Sequence, residues 1–458
     1  MSTFQFETIT AAQALAIGGQ DSVTFASGSG QQATLLYNLD GNGGVISETV
    51  ISGGHSVVFG AGLFELSQAR HAAFPDGSLL VAGGAGNDAL WYGPVGSGMF
   101  GGPGADTING DGYDVLQGNA GNDSLMGGSG PDTIYGGQGD DIIHTEPPGN
   151  AGNNGPLANF AQGNMGADTI YGGTGPDTLL GGKGDDVIYD VASAQGVSGG
   201  NFLNGNLGND VISFSDGNNT VFGEDGNDTL QAQGQDYGSN LVYGGDGDDW
   251  IGGGLGSAYL DGGAGNDQVY FGDEFIPSAG ATLIGGSGDD TLGAASGELS
   301  LSGGDGNDSL SAGGSGFATL DGGAGDDTLS DQFTGQTISL YGGPGADRFE
   351  IGFSRAGTAA YHARIMDWDP TDRLGFQLAG GAPLVVSPAA YGETAASDFA
   401  DAQSRVTQLF SASQFRVVAV QVSDSVFVFA DLNPITHAQS FVEIVGASLS
   451  DFDQGRLI

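Results

Sequence analysis

GGPGADTINGDGYDVLQGNAGNDSLMGGSGPDTIYGGQGDDII, residues 101–143, repeats one pattern every eight or nine residues. Aligned as Gly-Gly-x-Gly-x-Asp-x-U, with U apolar, the pattern occurs 17 times between residues 83 and 349. Clear copies are GGAGNDAL (83–90), GGSGPDTI (127–134), GGTGPDTL (172–179), GGAGNDQV (262–269) and GGDGNDSL (303–310). The fourth position is always Gly and the sixth always Asp. The eighth is always apolar, from Leu90, Ile108, Leu116, Leu125 and Ile134 through to Phe349. The second position is looser, with Asn119, Asn164, Asn206 and Glu224 replacing Gly. A nine-residue unit gives a six-residue turn and a three-residue strand whose middle side chain points inward. Two units then close one 18-residue coil of a flattened solenoid, with the apolar residues filling a thin core between two parallel sheets. Gly at the turns permits positive φ and close backbone approach, and coils stack on their neighbours by backbone hydrogen bonds. Beyond residue 205 the copies follow at steps near 18–23, so alternate half-coils there lack the motif.

The wider composition agrees. The chain has 458 residues, of which 90 are Gly, and carries 55 Asp+Glu against 9 Lys+Arg, a formal charge of -46. Residues 83–349 hold 37 of those acids but only two basic residues, Lys183 and Arg348. Such a surface does not bind nucleic acid, which needs clustered Lys or Arg, nor an anionic membrane surface. Cys is absent, which excludes disulfides, thiolate metal sites and a cysteine nucleophile. No apolar run is long enough for a membrane-spanning helix. The opening MSTFQFETIT has neither the basic nor the apolar region of a secretory leader. Charge of this size normally accompanies disorder, yet 38% of the residues are hydrophobic and regularly placed. Both facts hold if something other than protein neutralises the carboxylates.

The repeated Asp identifies it. A Gly-rich turn turns carbonyl oxygens inward, the Asp adds a carboxylate, and the turn stacked above completes an all-oxygen cage. Six to eight oxygens at about 2.3–2.6 Å in an adaptable geometry suit calcium rather than magnesium or zinc.

The motif resembles the calcium-binding nonapeptide repeat of the RTX family, which is a known β-helix repeat. The resemblance covers residues 83–349. It implies an all-β fold, a right-handed parallel β-roll (β-solenoid), folding at millimolar calcium outside the cell, and export by the type I secretion machinery of a Gram-negative bacterium without a cleaved N-terminal signal. Carried over by position, the carboxylate ligands are Asp88, Asp106, Asp114, Asp123, Asp132, Asp141, Asp168, Asp177, Asp186, Asp210, Asp228, Asp249, Asp267, Asp290, Asp308, Asp327 and Asp347. Carbonyl ligands come from the second and fourth positions. In the first half of the repeat these are Gly84, Gly86, Gly102, Gly104, Gly128, Gly130, Gly137, Gly139, Gly173, Gly175, Gly182 and Gly184; in the second they are Gly245, Gly247, Gly263, Gly265, Gly286, Gly288, Gly304, Gly306, Gly323 and Gly325. Calcium ions are expected along both edges of the roll early and mainly one edge later.

Residues 1–82 hold short β-rich runs, such as SVTFA (22–26), ATLLYN (33–38) and SVVFG (56–60), and read as an N-terminal β cap that continues the roll. Such a cap covers the apolar end of a solenoid and offers a surface for docking a neighbour. Residues 350–458 read as a C-terminal cap and secretion region. RIMDWDPTDRLGFQL (364–378) resembles the segment closing RTX rolls. DFADAQSRVTQLF (398–410) fits a helix with Phe399, Ala402, Val406, Leu409 and Phe410 on one face. QFRVVAVQV (414–422) and SVFVFADL (425–432) form a hairpin around a Ser-Asp turn. The tail FVEIVGASLSDFDQGRLI (441–458) resembles a type I export signal.

Catalysis finds little support. His-Glu-x-x-His is absent, and His55, His71, His144, His362 and His437 have no ligand spacing. The one Gly-x-Ser-x-Gly, at residues 196–200, is a chance match in so Gly-rich a chain and lacks its strand–elbow–helix context. Outside the roll no stretch is long enough for a usual catalytic domain, so the expected chain is not an enzyme. Two features point to association. Position nine is often aromatic (Trp91, Tyr135, Tyr171, Tyr189, Tyr243, Tyr341), and Tyr135, Tyr171 and Tyr189, separated by 36 and 18 residues, are expected to stack on one face. Insertions at 144–162, 189–204, 231–243 and 270–284 are expected to project from the roll. The expected protein is a secreted structural one whose partner is itself, polymerising end to end in calcium as a filament, S-layer or matrix. The alternative is a monomeric calcium-dependent adhesin or carbohydrate-binding module.

Overall fold

In the computed structural model the described residues are 2–17, 22–39, 45–60, 72–91, 95–148, 157–190, 200–215, 217–234, 236–272, 278–314, 316–333, 337–352, 363–377, 384, 391–411, 416–433, 438–452 and 454–457. They fall into two compact units, residues 1–233 and 234–458. Among them no helix is long and apolar enough to cross a membrane.

The roll in the first unit follows from the period. In one sheet, three-residue strands such as Thr107–Asn109, Ser124–Met126, Ile142–His144 and Thr169–Tyr171 pair in parallel, each with the strand one coil away. The eighth-position residues of neighbouring coils are register partners: Ile108 with Leu125, Leu125 with Ile143, and Ile143 with Ile170. The facing sheet runs from Gly98–Pro103 and Val115–Ala120 through Thr133–Gln138, Phe160–Met165, Thr178–Lys183 and Phe202–Leu207. Its strands are six residues long because the ladder continues past position nine into the next Gly-Gly pair. Ile108, Leu116, Leu125, Ile134, Ile170, Leu179 and Ile188 are all fully buried. A core one residue deep per half-coil is what a single apolar position in nine can supply.

The second unit repeats the plan. Strands Gln268–Phe271, Thr291–Ala294, Ser309–Gly314, Thr328–Phe333 and Arg348–Ile351 form one parallel sheet, closed by Arg373–Phe376. Ala258–Ala264, Ala281–Ser287, Leu299–Asp305, Ala318–Ala324, Ile338–Tyr341 and Ala363–Ile365 form the other.

The N-terminal segment only partly continues the roll. Leu80–Ala82 adds a parallel strand to Gly98–Pro103, but Thr34–Leu39, Val45–Ser52 and His55–Gly60 make an antiparallel sheet of their own. A short helix, Ala11–Leu15, opens with a capping box between Thr10 and Gln13. Phe6, Val23, Phe25, Leu35, Val50, Phe59 and Phe74 form the segment's core, shared with Phe100 of the roll. In the C-terminal segment the helix Phe399–Ser411 buries Ala402, Val406 and Phe410, with Phe399 and Leu409 packed beside them. Asp398 caps it, its carboxylate accepting from the Asp401 N–H at 2.9 Å. Val417–Val422 pairs antiparallel with Ser425–Asn433, and Ser423 takes a positive φ in the turn between them. Ala438–Val445 completes the sheet and pairs in parallel with Ala363–Ile365, an alignment held by the 2.9 Å Arg364–Glu443 ion pair.

Two expectations need correction. Tyr135 does not stack with Tyr171 and Tyr189, because it lies on the opposite sheet, in register with Gln117 and Gln162 and packed on Phe160. The coil from Asp132 to its ladder neighbour Asn159 has 27 residues, not 18. The 36 residues from Tyr135 to Tyr171 therefore span one coil and a half, which exchanges the faces. On the other sheet His144, Tyr171 and Tyr189 do stack, with ring centroids 4.5 and 5.3 Å apart. The insertions are also shorter than expected, since their ends are half-coils with a decayed motif. Ala161, Leu203, Val242 and Leu283 occupy the buried eighth position. Residues 149–156, 191–199 (which include most of the Gly-x-Ser-x-Gly match) and 273–277 lie outside the described residues, as do His71, His362 and His437.

Candidate metal centre

The sixth-position Asp residues form a ladder along one edge of the roll. Each main-chain N–H donates to Oδ1 of the Asp one coil further on. In the first unit the order is Asp88, Asp106, Asp123, Asp141, Asp168, Asp186, Asp210 and Asp228, with distances of 2.7 or 2.8 Å. In the second it is Asp249, Asp267, Asp290, Asp308, Asp327, Asp347 and Asp372, at 2.7–3.1 Å. Asp372, in the DPTD turn, carries no Gly-rich motif, so its place in the ladder was not assigned from sequence. The opposite edge of the first unit has its own ladder: Ser97, Asp114, Asp132, Asn159, Asp177, Asn201 and Asn219. Carboxylates thus line both edges early. On the second edge amides replace them at Asn159, Asn201 and Asn219. In the second unit the corresponding position is Asn240 and then apolar, at Ala258, Ala281, Leu299, Ala318 and Ile338.

One carboxylate oxygen is used by the ladder; the other is not. Oδ2 of Asp106, Asp123, Asp132, Asp141, Asp168, Asp186 and Asp210 in the first unit is buried without a hydrogen-bond partner. The same holds for Asp267, Asp290, Asp308, Asp327 and Asp347 in the second. An unsatisfied buried acceptor is costly, and an unpaired buried charge far more so. The ion pairs of the described residues, Arg348–Glu350, Arg364–Glu443 and Arg405–Asp401, lie outside the ladder.

Each Oδ2 is folded back under its own turn. A Cβ placed on Gly101 would meet Asp106 Oδ2 at 2.3 Å and the Gly118 carbonyl oxygen of the next coil at 2.7 Å. The same pair of oxygens crowds Gly118 (Asp123 and Gly136), Gly181 (Asp186 and Gly205), Gly303 (Asp308 and Gly322) and Gly322 (Asp327 and Gly342). The carbonyls beside the carboxylates therefore belong to the first motif position, which the sequence reading did not single out. The second- and fourth-position glycines stack on their counterparts one coil back. Gly104, at φ +137°, would drive a Cβ to 2.6 Å from the Gly86 carbonyl oxygen, so only Gly fits there. Gly173 breaks the pattern and faces the Glu146 side chain, whereas Gly175 stacks on the carbonyl of Leu157, its counterpart one coil back.

The environment raises the carboxyl pKa values. Burial, and then the charge of neighbouring Asp residues, pushes Asp123 and Asp290 up to about 7 and Asp141 and Asp186 to about 8, against the lowering effect of the ladder N–H. Asp106 and Asp327 rise to about 6. The residues fit a hard divalent cation. The donors are carboxylate and carbonyl oxygens, and the unused acceptors point into a cradle that a methyl group would fill. Calcium takes such sets readily, whereas zinc prefers nitrogen and sulfur.

Parallel coils with a carboxylate ladder at the turns define a calcium-binding β-roll. The family model for the RTX calcium-binding nonapeptide repeat (four copies) matches residues 100–130, 117–146, 162–189, 195–230, 236–260, 243–274, 282–298, 300–315 and 313–330. The chain is an RTX-repeat protein, and its repeats are of the calcium-binding kind. No curated protein matches it.

Proposed function

We propose that this is a secreted, non-enzymatic structural protein that folds on binding calcium and then associates with copies of itself in an extracellular filament or layer. The observation that carries the calcium part is the row of buried, unpartnered Oδ2 atoms. Calcium, when bound, supplies positive charge between successive turns. The chain's own residues do the rest. Asp106, Asp123, Asp141 and their successors present one oxygen to the turn and tie the coils together with the other. The position-one carbonyls add neutral oxygens beside them. Without a counter-ion the 37 acids and two basic residues of 83–349 repel one another and favour the unfolded chain. Ion binding and folding are then one event, suited to extracellular calcium of about 10⁻⁴–10⁻³ M. Secretion is the habit of RTX-repeat proteins; export through type I machinery of a Gram-negative cell is part of the proposal.

Self-association is supported by apolar surface on the N-terminal antiparallel sheet. Leu36, Thr49 and Val58 stand in one register row, and Leu36 and Val58 are half-exposed, with Leu39 and Ile46 nearby. Such a patch marks an interaction surface. Negative-stain electron microscopy in millimolar calcium and in chelator tests this. Ordered assemblies confined to calcium support it, and separate particles at every concentration reject it. A second reading, a glycan-binding adhesin, is favoured by a groove of about 850 Å³ between strand 34–39 and the roll, lined by Gln117, Asn119, Tyr135, Gln162 and Asn164.

A further inference from the structure

The coil with the extra residues carries a carboxylate that the repeat does not prescribe. In it the sixth position is Asn159, whose Oδ1 accepts from the Asp132 N–H at 3.0 Å. Its Nδ2 is a buried donor without an acceptor. With Oδ1 on the ladder N–H, the atom in the place of the free Asp oxygen is Nδ2, a donor with no lone pair to give a cation. The first and second positions of the same coil are Thr145 and Glu146 in place of Gly-Gly. A Cβ on Gly127 would meet Asp132 Oδ2 at 2.4 Å and the Thr145 carbonyl oxygen at 2.7 Å, the arrangement found at the regular turns. Asp132 Oδ2 and Thr145 Oγ1 are both buried and both unpartnered. Glu146, itself only 8% exposed, turns its carboxylate into the edge, over Gly173 and 3.5 Å from Thr174 Oγ1. Gly173 meets this side chain where other glycines of its position meet backbone, and its N–H donates to Asp177 Oδ2 at 3.0 Å. The negative charge absent from position six thus reappears at position two of the same coil.

We propose that Glu146, with Asp132 and the carbonyl and hydroxyl oxygens of Thr145, forms an additional calcium site on the second edge, replacing the ligand lost at Asn159. Removing Gly from positions one and two is tolerated there because the Glu side chain fills the space that the regular turn leaves for backbone. The inference rests on the calcium-binding reading of the roll.

Native mass spectrometry of the full chain, titrated with calcium, counts the ions one by one. Glu146→Gln keeps size and the Thr174 contact and removes only charge. The expected result is one ion fewer per chain, restored in the double variant Glu146→Gln/Asn159→Asp. An unchanged count in Glu146→Gln overturns the site. If Glu146→Gln fails to fold in calcium, regained folding and ion count in the double variant support it. A double variant that stays unfolded overturns it, leaving Glu146 as packing. A wild-type chain that binds no calcium overturns the roll's calcium reading itself, a result distinct from these.

Discussion

At the scale of the residue, the motif is a set of demands on φ as much as on chemistry. The second position is Gly in most copies, and where it is not, the chain pays in backbone strain. Asn119, Asn164 and Asn206 take φ of 80–82°, a region Asn tolerates better than other side chains. Glu224 takes φ 81° without that tolerance, and its exposed side chain accepts from Asn204 Nδ2 at 3.4 Å. Left-handed backbone costs a non-Gly residue about 1–2 kcal/mol. Glu224→Gly is therefore expected to stabilise the calcium-loaded protein by about 1 kcal/mol, seen as a higher urea midpoint at unchanged slope. The looseness of position two was visible in sequence, but its cost was not, because only φ separates a tolerated Asn from a strained Glu.

At the scale of the element, the two edges of the roll are the units of function. Desolvation holds Asp106, Asp123, Asp141 and Asp186 at about 6–8, above the ~3.9 of an unfolded Asp. A raised folded-state pKa means that protonation favours the fold. In calcium-free protein this contribution is fully present below about pH 4 and is lost as pH rises through 6–8. Far-UV circular dichroism of calcium-free protein is expected to show more β structure at pH 4 than at pH 8. Calcium, which needs the carboxylates ionised, is expected to bind more weakly as pH falls from 8 to 5. Equal signals at both pH values would contradict the burial of these groups. How far the edges were legible follows the same logic. Asp88 through Asp347 each stand in a Gly-x-Asp motif, so the first ladder could be read directly. Asn159, Asn201 and Asn219 stand where the motif has Asp, and Asp372 stands in a turn without the motif's glycines, so they align only once coils are stacked. The face of Tyr135 was misjudged for a related reason: a coil of 27 residues keeps the multiple of nine but changes which sheet each half-coil joins. The helix at 399–411 and the hairpin beyond it were readable because their periods, near 3.6 and 2, are local.

At the scale of the molecule, charge governs whether there is a fold at all. A chain of formal charge -46 with 90 glycines has much to lose on ordering, since Gly sacrifices the most backbone freedom. Its core offers one buried side chain per half-coil, too thin to offset unscreened carboxylates at the turns. We propose that calcium closes this gap and that the closed roll then associates with copies of itself. Sedimentation velocity across a calcium titration, at several protein concentrations, tests it most directly. The predicted result is a slow, expanded monomer in chelator. Millimolar calcium should convert it to a compact species whose sedimentation coefficient then rises with protein concentration. A sedimentation coefficient that calcium does not change would contradict the claim.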